Sequence, residues 1–317
     1  MHKPVKAMEI GSSIESELLV TEKSLTPKKN GEYFLRLQLA DITGAIKGVI
    51  WENGAKVAQQ IQTGDVVYVK GEVVDYNGPQ LVVRNIVIVP PERVDRSRFQ
   101  RMSKYDITEM VNTLQHEVSQ IKNMHLRNLL SAIFADEQLL AAYATSPAGK
   151  SVHHSYVGGL LEHSLEVLSI CKVFVSLFPR INSDFLYSGA LLHDIGKISD
   201  FEFNNMAYDL TATAKLLGHI TVGTRIVDKY MQAIPDFPSD LNLELTHMLI
   251  AHHGQKEWGS PEVPKTLEAY ALSYADMASA KINQFIQILD QGADNHDAQW
   301  IWAQPLERNI YGRTLQI

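Results

Sequence analysis

The feature that most constrains this chain is a change of hydrophobic period near residue 100. From about residue 9 to 90, apolar residues recur at every second position in YFLRLQLAD, GAIKGVIWE, GDVVYVKGEVVDY and PQLVVRNIVIV, with Gly, Asn and Asp between the runs. From Asp106 almost to the end the period becomes helical. A strand pattern buries alternate residues and a helix pattern buries a stripe, so the two halves cannot share one kind of layer.

The first half offers four clear strands and a further one through Ser16 to Lys23. A short helix-like insert, GAKVAQQIQ, stands before the fourth. These are the ingredients of a five-stranded OB barrel. The second half carries helical runs at about 124–143, 157–178, 184–195, 215–233, 241–253 and 265–290, after a capping pattern at Asp106 and Glu109. The expected fold is multi-domain: an all-β OB barrel over residues 1–90, a basic linker over 91–105, and an all-α domain over 106–317. A chain of 317 residues is long enough for two such cores. In the linker, Arg93, Arg96, Arg98, Arg101 and Lys104 follow Pro90-Pro91, as a solvated connection or as a track for phosphates.

A formal charge of −7 argues against nucleic-acid binding through a global positive field, but allows local basic patches. On the outward face of the barrel Phe34 and Arg36 stand together, with Tyr68, Lys70 and Arg84 as further candidates and Trp51 on a shorter strand. Aromatic and guanidinium groups on a sheet face can stack bases and hold phosphates, although half-exposed aromatics also occur without ligands. No window approaches the roughly 18 apolar residues of a membrane span. The N-terminal MHKPVKAMEIGSSIES lacks the apolar core of a signal peptide, and Cys171 is the sole cysteine. These features lead us to expect a cytoplasmic protein with no membrane partner.

The chemistry concentrates in the second half. The apolar run SGALLHDIGK ends on His193 and Asp194, and His163, His219, His252, His253 and Asp276 lie on other largely apolar helical stretches. Taken singly, such a histidine is a hydrogen-bonded core residue. Taken together, imidazoles and carboxylates form a donor set for Mn, Fe, Co or similar divalent ions, and one cysteine excludes a thiolate-rich zinc site. Gly196 is expected to let the chain leave the helix after His193-Asp194. Adjacent helical positions diverge by about 100°, so His252 is expected as a ligand and His253 as a group facing substrate or supporting a ligand from behind.

The order of these residues resembles the HD-domain metal-dependent phosphohydrolases, with His163, His193, Asp194 and Asp276 matching the four defining positions. The resemblance implies two divalent ions, Mn first with Fe, Co or Mg as alternatives. One would be held by His163, His193, Asp194 and Asp276, the other by Asp194, His219 and His252. Flanking words narrow the likeness. An OB barrel joined to HHSYVGGLLEHS, ALLHDIGK, LLGHI, HHGQKEWGSPEVP and LSYADM looks like the YhaM-type 3′-to-5′ exoribonucleases over about residues 9–312.

That family implies stepwise hydrolysis of single-stranded RNA or DNA from a free 3′ end to nucleoside 5′-monophosphates. It also implies His154 (with His153) near the substrate phosphate, the alternative for these two being structural histidines at a helix entry. By position, Lys197 could neutralise a phosphate oxygen or assist the leaving alkoxide, His253 could stand on the substrate side or behind a ligand, and Trp258 could stack on a terminal base. Lys197 could otherwise be a solvated lysine and Trp258 a buried anchor. One departure stands out: Met277, Ala278 and Ser279 follow Asp276 where the family often has Asn and Asp, which puts support for the ligands from that segment in doubt. Two rivals remain. One is an HD enzyme acting on a small nucleotide, although His253 is followed by GQKEWGSP and not by the cyclic-dinucleotide word. The other is a non-catalytic single-strand-binding module. The apolar stretch from Phe174 to Phe178 suits either core or a homo-oligomer contact.

Overall fold

In the computed structural model, residues 3–28, 31–149, 154–204, 207–292 and 299–312 are described, and the period-two segment closes into a barrel. Its strands are β1 (Ser13–Pro27), β2 (Tyr33–Asp41), β3 (Gly44–Ile50), β4 (Val66–Asp75) and β5 (Pro79–Ile88), in the order β1-β2-β3-β5-β4. Only the β3–β5 pairing is parallel within the barrel. The alternating residues Leu35, Leu37 and Leu39 of β2 fill the interior with Leu18, Val67, Val69 and Leu81. Closure requires a bulge after Lys70. Gly71 supplies it, because a Cβ there would stand 2.3 Å from the carbonyl oxygen of Val82. The insert is α1 (Gly54–Gln60), as its period predicts.

Residues after the last strand depart from the expectation of a solvated linker. They form two short 3-10 turns, Pro91–Arg93 and Arg96–Arg98. Phe99 is buried with Leu19 and Val66 of the barrel, and Arg98 pairs with Glu17 at 2.9 Å. The apolar Phe99 and the matched Arg98 anchor this basic stretch, so the boundary falls after Arg101 and not at 90. The two compact units are Met1–Arg101 with Glu202–Asp209, and Met102–Phe201 with Leu210–Ile317.

The second unit is built from α2 (Ile107–Gln120), α3 (Met124–Phe134), α4 (Glu137–Thr145), α5 (Gly159–Leu177), α6 (Ser183–Leu192), α7 (Ala212–Ala233), α8 (Ser239–Ala251) and α9 (Leu267–Gly292). Asp106 caps α2 by accepting from the amides of Thr108 and Glu109. The run expected over 124–143 divides where Asp136 caps a new helix. Helix α5 packs against both α6 and α9 through Leu160, Leu161, Val167, Ala190, Leu272 and Ala275. Cys171 is buried here, and burial pushes its thiol up to about 12, so it is inert.

The chain after Met102 is not purely helical. Two hairpins interrupt it: β6 (Phe201–Asn204) with β7 (Ala207–Leu210), and β8 (Trp300–Ala303) with β9 (Arg308–Tyr311). Four-residue strands are too short to display a period of two against a helical background, so periodicity passed over them. Leu177 and Phe178 are exposed, which removes them from the core. Among the described residues, no helix is long and apolar enough to cross a membrane.

Candidate metal centre and nucleic-acid face

Helix ends deliver most of the chemistry. His163 lies within α5, His193 caps the C-terminus of α6, and Asp194 follows it into a 3-10 turn, Ile195–Ser199. His219 comes directly after Gly218, whose φ of 72° breaks α7 and starts a new turn. His252 caps α8 and Asp276 lies on α9. Gly196 has a reason different from the expected helix exit. A Cβ there would stand 1.9 Å from the carbonyl oxygen of His219, so its bareness lets the His-Asp turn dock against the His219 turn.

Hydrogen bonding fixes which nitrogen each imidazole presents. His193 Nδ1 donates to the Ala190 carbonyl at 2.9 Å and His252 Nδ1 to that of Leu249 at 2.7 Å. Ser279 Oγ donates to Glu166 at 2.8 Å, so at 3.0 Å from His163 Nδ1 it must act as acceptor. In its neutral form each ring therefore turns an Nε2 lone pair inward. His163 and His193 bring these nitrogens to 3.3 Å from one another, and Asp276 Oδ1 lies 3.1 Å from the first. Acceptors converging at such distances in a buried pocket repel unless a cation lies among them.

Asp194 faces two nests with its two oxygens. Its Oδ2 lies 3.5 Å from His163 and 3.4 Å from His193, while its Oδ1 lies 3.4 Å from His219 and 3.6 Å from His252. The atoms on the second side, Asp194 Oδ1, His219 Nε2 and His252 Nε2, are buried and lack hydrogen-bond partners. These donors fit a pair of divalent ions by their orphaned polarity and by their chemistry, nitrogen and carboxylate oxygen. Burial holds His219 down at about 3 and His253 at about 4, so both imidazoles are neutral at pH 7. Burial opposes ionisation of Asp194, but Lys197 and His193 outweigh it and hold the carboxyl well below its usual range.

Lys197 is not solvated. Its Nζ lies 2.7 Å from Asp194 Oδ2 and the residue is 9% exposed, so it is an ion-pair partner of the central carboxylate. His253 also departs from expectation. Helix α8 ends at Ala251, the 100° rule no longer applies, and donor atoms of His219, His252 and His253 come within 4.8 Å of one another. Its Nδ1 donates to the Trp258 carbonyl at 3.1 Å. The Trp258 indole is 58% exposed, which excludes a buried anchor.

His154 lies away from this open side. It is fully buried, its Nε2 is 3.1 Å from Glu166, and Glu166 reaches His163 through Ser279 on the Nδ1 side. The glycines of its motif have physical causes: Gly158 has φ 85°, and a Cβ on Gly159 would stand 2.0 Å from the His154 carbonyl oxygen. His153 falls outside the described residues. Ser279, in the segment that departs from the family pattern, thus supplies the support thought to be in doubt. Sequence reading missed Glu166 and also Asp200, whose Oδ2 is 4.0 Å from His219 Nδ1 and whose carboxyl burial raises to about 6. Glu166 lies one helical turn beyond His163 on α5 and Asp200 follows the 3-10 turn after Asp194, and neither position carries a motif.

On the barrel, Arg36 lies over the Phe34 ring at 5.2 Å, and Phe34 stacks on Trp51 with centroids 4.7 Å apart. Phe34 is buried beneath these two neighbours, so the exposed aromatic surface belongs to Trp51. Tyr68 and Lys70 are both engaged by Glu15, at 2.6 and 2.9 Å, and Arg84 by Glu72 at 2.9 Å. A groove of about 360 Å³ on β1, β2, β3 and the β4–β5 turn is lined by Glu22, Arg36, Gln38, Lys47, Tyr76 and Asn77. Lys47 and Tyr76 were passed over in the sequence because one sits in a Gly-rich strand and the other in a turn.

Comparison with known proteins agrees with both units. The HD domain family matches residues 160–281, and the family described as an OB-fold nucleic acid binding domain matches residues 19–89. The 3′-5′ exoribonuclease YhaM of Bacillus subtilis (strain 168) is 30% identical over 295 residues, covering 92% of each chain. The chain belongs to the YhaM family. The YhaM protein of Shouchella clausii is 29% identical over 92% of this chain and 91% of its own. A likeness over this share of the chain takes in both the barrel and the helical unit.

Proposed function

We propose that this chain is a metal-dependent 3′-to-5′ exoribonuclease that releases nucleoside 5′-monophosphates from single-stranded RNA. The observation that carries this is the convergence of four imidazole Nε2 atoms on both oxygens of buried Asp194, with Nε2 of His219 and of His252 left without a hydrogen-bond partner. His163, His193, Asp194 and Asp276 would hold one ion and Asp194, His219 and His252 the other, with His253 next to the second. The family resemblance points to Mn, with Fe, Co or Mg as alternatives, and the mixed nitrogen and oxygen set accepts several divalent ions. When bound, such ions supply Lewis acidity to the scissile phosphodiester and to the attacking water.

The chain's own residues do the rest. Lys197, held by Asp194, provides a positive charge for a phosphate oxygen or for the departing 3′ oxygen. Trp258 offers a stacking surface to the terminal base, and His253 borders the same pocket. The Arg36–Lys47 groove and Trp51 hold the strand by phosphate contact and stacking. The sole, buried cysteine agrees with a cytoplasmic setting. A homo-oligomer through exposed Leu177, Phe178, Tyr270 and Tyr274 is the matching expectation for assembly, checked by sedimentation.

The test is an assay with 5′-labelled single-stranded RNA, and the same sequence as DNA, in Mn. A ladder of products shortened by single nucleotides from the 3′ end is expected. Tight binding without cleavage would overturn the reading in favour of a binding module.

A further inference from the structure

We propose that His154, Glu162 and Glu166 form a third divalent-cation site, separate from the two nests that share Asp194. One imidazole nitrogen and one oxygen of each carboxylate lie within 4.8 Å of one another. Glu162 is 3% exposed, and its Oε2 has no hydrogen-bond partner, although the Tyr156 hydroxyl bonds the same carboxylate. A carboxylate so deeply buried needs a compensating positive charge.

The orientation of Asn283 decides whether a proton on His154 can provide it. Asn283 Oδ1 accepts from the His154 backbone amide at 3.1 Å and from Gln287 Nε2 at 2.9 Å, which turns its amide Nδ2 toward His154 Nε2, 3.1 Å away. Facing a donor, Nε2 presents a lone pair. The same nitrogen lies 3.1 Å from Glu166 Oε2, so lone pair meets carboxylate, as in the main centre. One imidazole and two carboxylates make a donor set suited to a divalent ion.

A route for entry exists as well. Glu162, Glu166, Tyr156 and Asn283 line a cavity of about 950 Å³ between α2, α5 and α9 that opens to solvent, so water can complete the coordination. Through Ser279, the ion would also touch the group that orients His163.

The experiment counts Mn bound per full-length chain after equilibrium dialysis and elemental analysis, with circular dichroism as the check on folding. Wild type is expected to hold three ions, Glu162→Gln two, Asp194→Ala one, and the double variant none. If Glu162→Gln fails to fold, Glu166→Gln takes its place. Equal counts with and without the glutamate substitution, in both backgrounds, overturn the third site and mean that a His154 imidazolium neutralises the carboxylates. If Asp194→Ala lost no ions, the shared pair would fail while the glutamate comparison still read the third site.

Discussion

Ser279 Oγ lies 3.0 Å from His163 Nδ1 and 2.8 Å from Glu166, completing a carboxylate–hydroxyl–imidazole chain behind a metal-ligand candidate. Such outer partners fix the tautomer and raise the basicity of the ligand, and their loss typically weakens metal affinity by about 10- to 100-fold. Ser279→Ala should therefore raise the Mn concentration needed for half-maximal activity by that factor, with kcat at saturating Mn close to wild type. An unchanged Mn requirement would show that the hydroxyl is only packing.

Lys197 and Asp194 give the next prediction. Removing the ammonium by Lys197→Met takes a competing positive charge from Asp194, so Mn binding, followed by calorimetry, should hold or tighten. Turnover should nevertheless fall by about 10²- to 10³-fold, the scale of a lost charge-stabilising group in an active site. Full activity would assign Lys197 to charge balance alone.

Metal-free protein should lose stability as pH falls from 7 to 5. The folded chain holds His219 at about 3 and His253 at about 4, against about 6.5 in an unfolded chain. Between those values the unfolded state binds more protons, so stability drops with pH. Asp200, raised to about 6, and His193, raised against its burial by Asp194, act in the opposite direction, but burial lowers His163 and His247 together with His219 and His253, so four groups stand against two. Thermal melts should show the midpoint falling over this range, and Mn should raise it more at pH 7 than at pH 5 because protons compete for the same nitrogens. A flat midpoint in metal-free protein would contradict these shifts.

On the barrel, Arg36→Ala and Lys47→Ala should each weaken binding of a long single strand and reduce the slope of log K against log salt by about 0.7, while leaving dinucleotide hydrolysis unchanged. Lys70→Ala and Arg84→Ala should do less, since Glu15 and Glu72 already match those charges. Filter binding across a salt series measures both. Equal losses at all four positions would mean that the groove is not the track.

How much of this was legible in the sequence varies with the kind of interaction. Leu35, Leu37 and Leu39 alternate, so β2 and the barrel could be read directly, and Asp106 announced its own helix. The candidate ligands were legible because histidines on apolar helices are conspicuous. What could not be read depends on where an element stops or what lies across from it. Ending α8 at Ala251 brings His253 to the pocket, Phe99 pins the basic stretch to the barrel, and Trp51 covers Phe34. Ser279 has no motif of its own and acquires its role only because α9 sets it between α5's His163 and Glu166.

The central claim is that Asp194 is shared by two ions. Crystals grown with Mn, with diffraction recorded at the Mn absorption edge, test it directly. Two anomalous peaks are expected at Asp194, besides the one proposed at His154, Glu162 and Glu166, each about 2.1 Å from a different oxygen of Asp194, one among His163, His193 and Asp276 and the other beside His219 and His252. A single peak within reach of Asp194, or none, would contradict the account.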